Sequence, residues 1–263
     1  MMAWARRAMR DEDGTEADEP ARRRQIALAA LRDHRGPNSD APAIDTLPLG
    51  IAHIDSGLPG GGLSLGRPHE IAPQSEGDEA AALGFTLALM ARHLARVEGE
   101  ALLVIGKGHP TPYGHGLAGL GLDPGRLLIL EVENDADAYR AVEEALRSQG
   151  LRAVAGLVDA GLPLKQSRRL HLAGEAASRL LLVLRPPQAE CPNMAATRWR
   201  IGSGAALRDR FGCIERPCWR ARLDRCRNGR TGDWLLEWDH AAHRFGLAGA
   251  VAADAARTRS SHA

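Results

Sequence analysis

Between Leu47 and Leu184, short apolar runs alternate with helix-length amphipathic segments, and this alternation restricts the fold more than any other feature of the chain. HEIA at 69–72 reads as a strand leading into the turn-forming stretch PQSEGD. EAAALGFTLALMARHLARVEG then reads as a long helix, opened by Asp78 and Glu79 and closed by Gly99. ALLVIG at 101–106 and LLILEV at 127–132 have the length and composition of buried strands. NDADAYRAVEEALRSQG follows as a helix, with Asn134 as its N-cap and Gly150 as its stop. AVAGLVDA, KQSRRLHLAGEAASR and LLLVLRP continue as strand, helix and strand. Because the strands carry little period-two patterning, they are expected to pair in a mostly parallel sheet covered on both faces, an α/β fold.

The length of 263 residues suits one good-sized domain with short appendages, or two small ones. No uncharged apolar run approaches the roughly 18 residues of a membrane span, so no membrane partner is expected. The N-terminal MMAWARRAMR meets the acidic DEDGTEADEP at once, which is not the pattern of a secretory signal. Four cysteines, at 191, 213, 218 and 226, are too few for a disulfide framework. Their spacing matches no usual zinc pattern, so neither a metal nor any other cofactor is expected. These features together predict a cytoplasmic protein. Ser, His, Asp and Cys show no nucleophilic constellation, and His109, His115 and His171 are scattered.

The formal net charge of +1 hides an uneven distribution. Residues 1–40 balance eight basic against eight acidic residues; residues 41–190 hold thirteen against eighteen, and residues 191–263 hold thirteen against seven. Lys107 and Lys165 are the only lysines, so arginine abundance by itself is no sign of binding. The pattern divides the chain into an N-terminal arm and linker over 1–43, a core over 44–190, basic strands over 191–248 that complete the sheet, and a tail over 249–263. In the arm, ARRRQIALAALRDH sets Ile26, Leu28 and Leu31 near one side of a short helix, suited to capping its own domain or docking on a partner.

After the first strand of the core, an α/β fold would hold phosphate on backbone N–H groups at a helix N-terminus. The usual loop is G-x-x-x-x-G-K-[ST], with lysine on the outer phosphates and the hydroxyl on magnesium. The equivalent stretch runs from Ala72 to Glu79 and keeps Gly77, but Asp78 and Glu79 stand in place of the lysine and the hydroxyl. Each like-charge repulsion with a triphosphate is on the order of several kcal/mol before screening. Nucleotide binding of the usual kind is expected to fail.

The surroundings of this loop resemble the RecA family. Asp55, Leu58, the glycines at 60–62, Leu63, Gly66, Arg67, Glu70 and Ile71 follow its D-x-x-L-GGGL-x-x-G-R-x-x-E-I run. Within that resemblance Asp159 matches the Walker B aspartate, although a turn or capping role fits it as well. GKGHP at 106–110 holds no carboxylate where the catalytic glutamate would stand, and Lys107 is a remote substitute for the missing loop lysine. The resemblance therefore implies a RecA-like fold with a degenerate phosphate loop and no ATPase activity.

Ten arginines and three acidic residues lie between Arg198 and Arg230. Arg220 and Arg222 alternate with Ala221 and Leu223, and Asn228-Gly229 reads as the turn of a C-terminal β-hairpin extension. Arg198, Arg200, Arg220, Arg222, Arg225, Arg227 and Arg230 suit nucleic acid or an acidic protein surface as well as they suit a solvated face. Trp199, Trp219, Trp234 and Trp238 could stack on bases, but anchoring the hairpin to the core is the better reading. Alongside the degenerate loop, the strand ATRWRI and the ending WRARLDRCRNGR-x-G-x-WLLEWD resemble ImuA, a family of RecA-like accessory factors in damage-inducible mutagenesis. That resemblance implies a non-enzymatic adaptor in SOS-induced error-prone translesion synthesis. It also implies partners: an ImuB-type polymerase relative, a DnaE-type error-prone polymerase, and RecA or single-stranded DNA as further candidates. A SulA-type cell-division inhibitor is the alternative, although such proteins lack the long basic C-terminal quarter.

Overall fold

The apolar runs become the strands of one large sheet in the computed structural model, which describes residues 45–106, 109–175, 177–208 and 210–248. The expected N-terminal helix, Lys107 and the tail lie outside the described residues. The elements in chain order are β1 (Thr46–Leu47), α1 (Ala52–Asp55), β2 (Leu63–Ser64), β3 (Pro68–Pro73), α2 (Glu79–Leu94), β4 (Glu100–Gly106), α3 (Gly114–Gly119), β5 (Leu127–Val132), α4 (Asp135–Arg147), β6 (Leu151–Leu157), α5 (Leu164–Glu175) and β7 (Leu180–Leu184). The basic quarter adds β8 (Thr197–Ser203), β9 (Leu207–Arg208), β10 (Ile214–Arg216), β11 (Cys218–Cys226), β12 (Gly232–Asp239) and β13 (Arg244–Leu247).

The nine-stranded sheet runs β13-β12-β11-β8-β3-β7-β6-β4-β5. The strands from β8 to β5 are all parallel, and β11, β12 and β13 add antiparallel neighbours at the β8 edge. The strands alternate large apolar side chains between the two faces, and each face has its own core. On one face Leu103, Ile105, Leu182, Trp199 and Ile201 pack against Phe85, Leu89 and Met90 of α2. On the other, Val104, Val154 and Val183 pack against Tyr139, Val142 and Leu146 of α4 and Leu170 of α5. Both faces of β3, β7, β6 and β4 are thus covered, as the lack of alternation in their sequence predicts. The edge strand β5 is not the buried strand that LLILEV suggested: Leu128, Ile129 and Leu130 are exposed, because β5 has a sheet neighbour on one side only.

Three helices stop short of the sequence pattern, among them α5, which ends at Glu175 although the pattern runs to Arg179. At α2, which ends at Leu94, Arg126 donates to the carbonyls of Leu94, Val97 and Gly99 and so satisfies acceptors that the end of the helix leaves open. At α4 the Asn134 side chain accepts the Asp137 N–H at 3.0 Å, as an N-cap should, but Ser148 is already extended. The glycine run at 60–62 is a tight turn: Gly60 and Gly61 are left-handed, and a Cβ on Gly62 would lie 2.6 Å from the Leu47 carbonyl. The structure also contains the β1–β2 pair, α3, the β9–β10 hairpin and β13, none of which the sequence reading anticipated. Among the described residues no helix is long and apolar enough to cross a membrane.

Candidate functional site

The loop after β3 lies at the C-terminal end of the parallel strands, where open α/β sheets bind their ligands. Here the chain's own carboxylates take the loop's donors. Asp78 is buried; one of its oxygens accepts the Ser75 hydroxyl at 2.6 Å and the other accepts the Ser203 N–H at 2.8 Å. The Ser75 hydroxyl, and after it the Ser203 N–H, hold the Asp78 carboxyl below the usual range. Glu79 reaches back to the Gly77 N–H at 2.8 Å. Gln74 bonds to the Ile201 carbonyl through its own N–H, so the loop is fastened to β8 at two points. Ala72 is fully buried in β3 and offers only backbone to this site.

Asp159 follows β6 and is largely exposed. Its side chain meets His109 Nε2 at 3.0 Å, while its own N–H and that of Ala160 are held by the Asp135 carboxylate. This arrangement makes Asp159 part of a turn at the end of β6, and Asp135 at the start of α4 ties that turn down.

The seven candidate arginines do not share one open surface. Glu70, from the middle of β3, is fully buried and bonds Arg185 Nε and Arg198 Nε at 2.6 Å each, with Asn193 Nδ2 at 3.1 Å. Glu190, in the segment between β7 and β8, then bridges Arg185, Arg198 and Arg200. Those three cations lower its carboxyl against an opposing desolvation, which is the largest single influence. Arg200 continues to Asp224, which also binds Arg222 at 2.6 Å. The result is a continuous ion-pair chain from the centre of the sheet to its exposed face, clamping the 186–196 segment over β3 and β8.

The other four arginines have separate surroundings. Arg225 donates to the Asn193 carbonyl, Arg227 lies against the Met194 sulfur, and Arg230 reaches Ser56 after α1. Arg220 is exposed, with no hydrogen-bond or ionic partner among the described residues, and shares its face of β11 with the half-exposed Arg222. The alternation is as expected, with Trp219, Ala221 and Leu223 buried on the opposite side. Trp199, Trp219 and Trp238 are buried and surround Phe85 and Phe245 in one aromatic cluster, which favours the core-anchor reading over base stacking. Trp234 is half-buried against Trp199.

The motif residues upstream of the loop also have structural roles. Asp55 accepts the Leu49 and Gly50 N–H groups, and Glu70 is the hub of the ion-pair chain. Sequence reasoning missed Arg185, Glu190 and Asn193 as partners of Glu70. The one available signal was an ionisable residue inside an otherwise apolar strand, which needs buried counter-charge.

No protein-family model matches the chain. It is 33% identical over 211 residues to Protein ImuA of Caulobacter vibrioides strain NA1000 / CB15N, a match covering 75% of this chain and 85% of that protein. Protein ImuA of strain ATCC 19089 / CIP 103742 / CB 15 matches with the same identity and coverage. Sequence identity at this level across most of both proteins places the chain in the ImuA family.

Proposed function

We propose that the protein is a RecA-like, non-enzymatic adaptor of damage-inducible mutagenesis that positions an ImuB-type polymerase relative and a DnaE-type error-prone polymerase. Family membership supports the pathway. The observation that carries the non-enzymatic part is the self-occupied loop: Asp78 and Glu79 hold N–H and hydroxyl donors that a phosphate would need. A subunit closed in this way has no nucleotide switch, and its contribution is then its surfaces.

Co-purification of the full chain with an ImuB-type protein and with RecA tests the adaptor role, and failure with both would sink it. Calorimetry with ATP and magnesium is expected to give no binding heat. Turnover of ATP above background, abolished by a loop substitution, would overturn the non-enzymatic reading. The alternative of a single-stranded DNA-binding module over 198–230 has less support, because Arg198 and Arg200 are committed to Glu70, Glu190 and Asp224. A SulA-like inhibitor remains the alternative if division arrests on overexpression while neither partner is retained.

A further inference from the structure

A cavity with basic residues in its wall lies at the opposite end of the sheet from the closed loop. At the N-terminal ends of β3 and β8 there is an open cavity of about 70 Å³, lined by Ser64, Arg67, His69, Thr197, Arg227 and Asn228 among others, with no carboxylate in its wall. That volume corresponds to about five water-sized spheres, enough for the five heavy atoms of a tetrahedral oxyanion.

The lining groups have unused donors. The Arg67 guanidinium meets Glu175 only at 3.8 Å, beyond hydrogen-bond distance, and the Arg227 guanidinium meets only the Met194 sulfur at 3.9 Å. Neither the Ser64 hydroxyl nor the Asn228 carboxamide makes a hydrogen bond among the described residues. Asn228 has a left-handed backbone, φ 62°, fixed by the turn after β11. By contrast, His69 and Thr197 are internally satisfied. The His69 ring lies between the Thr197 hydroxyl at 2.7 Å and the Ser64 carbonyl at 3.0 Å, and the Trp199 indole donates to the same hydroxyl. His171, lowered first by burial, feels Glu175 favouring its protonation and then Arg67 and Arg227 opposing it, so both cations act on a common region in which Glu175 pairs with the His171 ring at 3.3 Å. Two guanidinium groups, Arg67 facing Glu175 only at 3.8 Å and Arg227 with no carboxylate partner among the described residues, stand beside a hydroxyl and an amide around a cavity of oxyanion size and form a charge-assisted binding set.

We infer that this cavity binds a single phosphate group, through Arg67 and Arg227 with Ser64 and Asn228 completing its hydrogen bonds. The inference is independent of the adaptor reading, because it uses no residue of the closed loop. Either free phosphate or a phosphodiester of single-stranded nucleic acid supplies this chemistry.

Calorimetric titration of the full chain distinguishes the two. One arm uses sodium phosphate against sodium chloride of equal ionic strength, and the other uses a single-stranded oligothymidylate. Binding in either arm should weaken tenfold or more in Arg67→Gln and in Arg227→Gln, about threefold in Asn228→Gly, and not at all in Lys165→Gln, where the side chain is exposed on α5. Saturation by inorganic phosphate identifies free phosphate as sufficient; a response to the oligonucleotide alone, with the same variant pattern, identifies the phosphodiester. No binding in either arm overturns the inference, as does binding that the arginine variants leave unchanged. Asn228→Gly tolerates the left-handed backbone and keeps the test open should an arginine variant fail to fold.

Discussion

Asp78 and Ser203 are 125 positions apart, and the Asp78 carboxylate accepts the Ser203 N–H at 2.8 Å, joining the loop after β3 to the end of β8. Its second oxygen holds Ser75, so one side chain closes the loop and fastens it. Asp78→Ala removes the acceptor of a part-buried N–H and of a hydroxyl and should destabilise the chain by about 0.5–1.5 kcal/mol, whereas Asp78→Asn keeps an acceptor and should cost less. Denaturant unfolding measures the cost. Hydrogen exchange at the Ser203 amide should accelerate in Asp78→Ala; unchanged protection there would remove the link.

Replacing Glu79 by Ala should release the Gly77 N–H without touching the Ser203 bond. Because the bond is exposed, stability should change by no more than about 0.5 kcal/mol. ATP with magnesium should still give no calorimetric heat, since Asp78 stays in place. Measurable ATP binding by this single variant would show that Glu79 alone closes the loop.

Glu70 sits at 0% exposure between two guanidinium groups. Glu70→Gln removes the charge and leaves Arg185 and Arg198 buried without their shared partner, a loss of about 3–5 kcal/mol. Replacing all three residues together by apolar side chains of similar volume should be milder than the single change, because no uncompensated charge remains. Urea midpoints of the two variants decide, and a single variant as stable as wild type would refute the hub role.

The fold was legible where the chain repeats itself. The alternation of LLILEV, the helix after Asn134, and LLLVL required only period and caps, and β5, α4 and β7 follow it closely. The tryptophans of the basic quarter were legible too, because apolar positions alternate with Arg220 and Arg222 along β11. What the sequence concealed was pairing at a distance. Nothing local to Arg198 says that its partner is Glu70, 128 positions away, and a run of arginines reads as a surface until its counter-charges are located. The acidity of the loop was visible at Asp78 and Glu79. The direction of those carboxylates, inward onto Ser203 and Gly77, depends on β8 lying beside β3, which only the folded sheet supplies.

His69 should make stability fall on mild acidification. Burial is the main cause of its pKa falling from 6.5 to about 4, with Arg67 adding to it and the bond to the Ser64 carbonyl opposing it. Between those values the unfolded chain binds a proton that the folded chain refuses, so the stabilisation is complete above pH 6.5 and declines as pH falls towards 4. At the lower limit the loss reaches about 3 kcal/mol. His93 and His171 are also shifted downward by burial and contribute the same sign, so the diagnostic is a difference: His69→Gln should show a shallower decline of the urea midpoint from pH 7 to pH 5 than wild type. Parallel slopes would mean that His69 is protonated in the fold.

Arginines of one sequence cluster should separate into two behaviours. Arg198→Ala cuts two bonds to Glu190 and the Cys191 carbonyl and leaves Glu70 short of one partner, so it should lose about 3 kcal/mol or more and loosen the 186–196 segment. Arg220→Ala removes an exposed side chain without a described partner and should leave stability within about 0.5 kcal/mol of wild type. Any loss of partner or nucleic-acid binding in Arg220→Ala therefore reports on the surface itself, whereas a loss in Arg198→Ala reports on the fold. Thermal unfolding of both variants beside a co-purification assay separates the two. Equal destabilisation by Arg220→Ala would place that side chain inside the ion-pair chain rather than on the open face of β11.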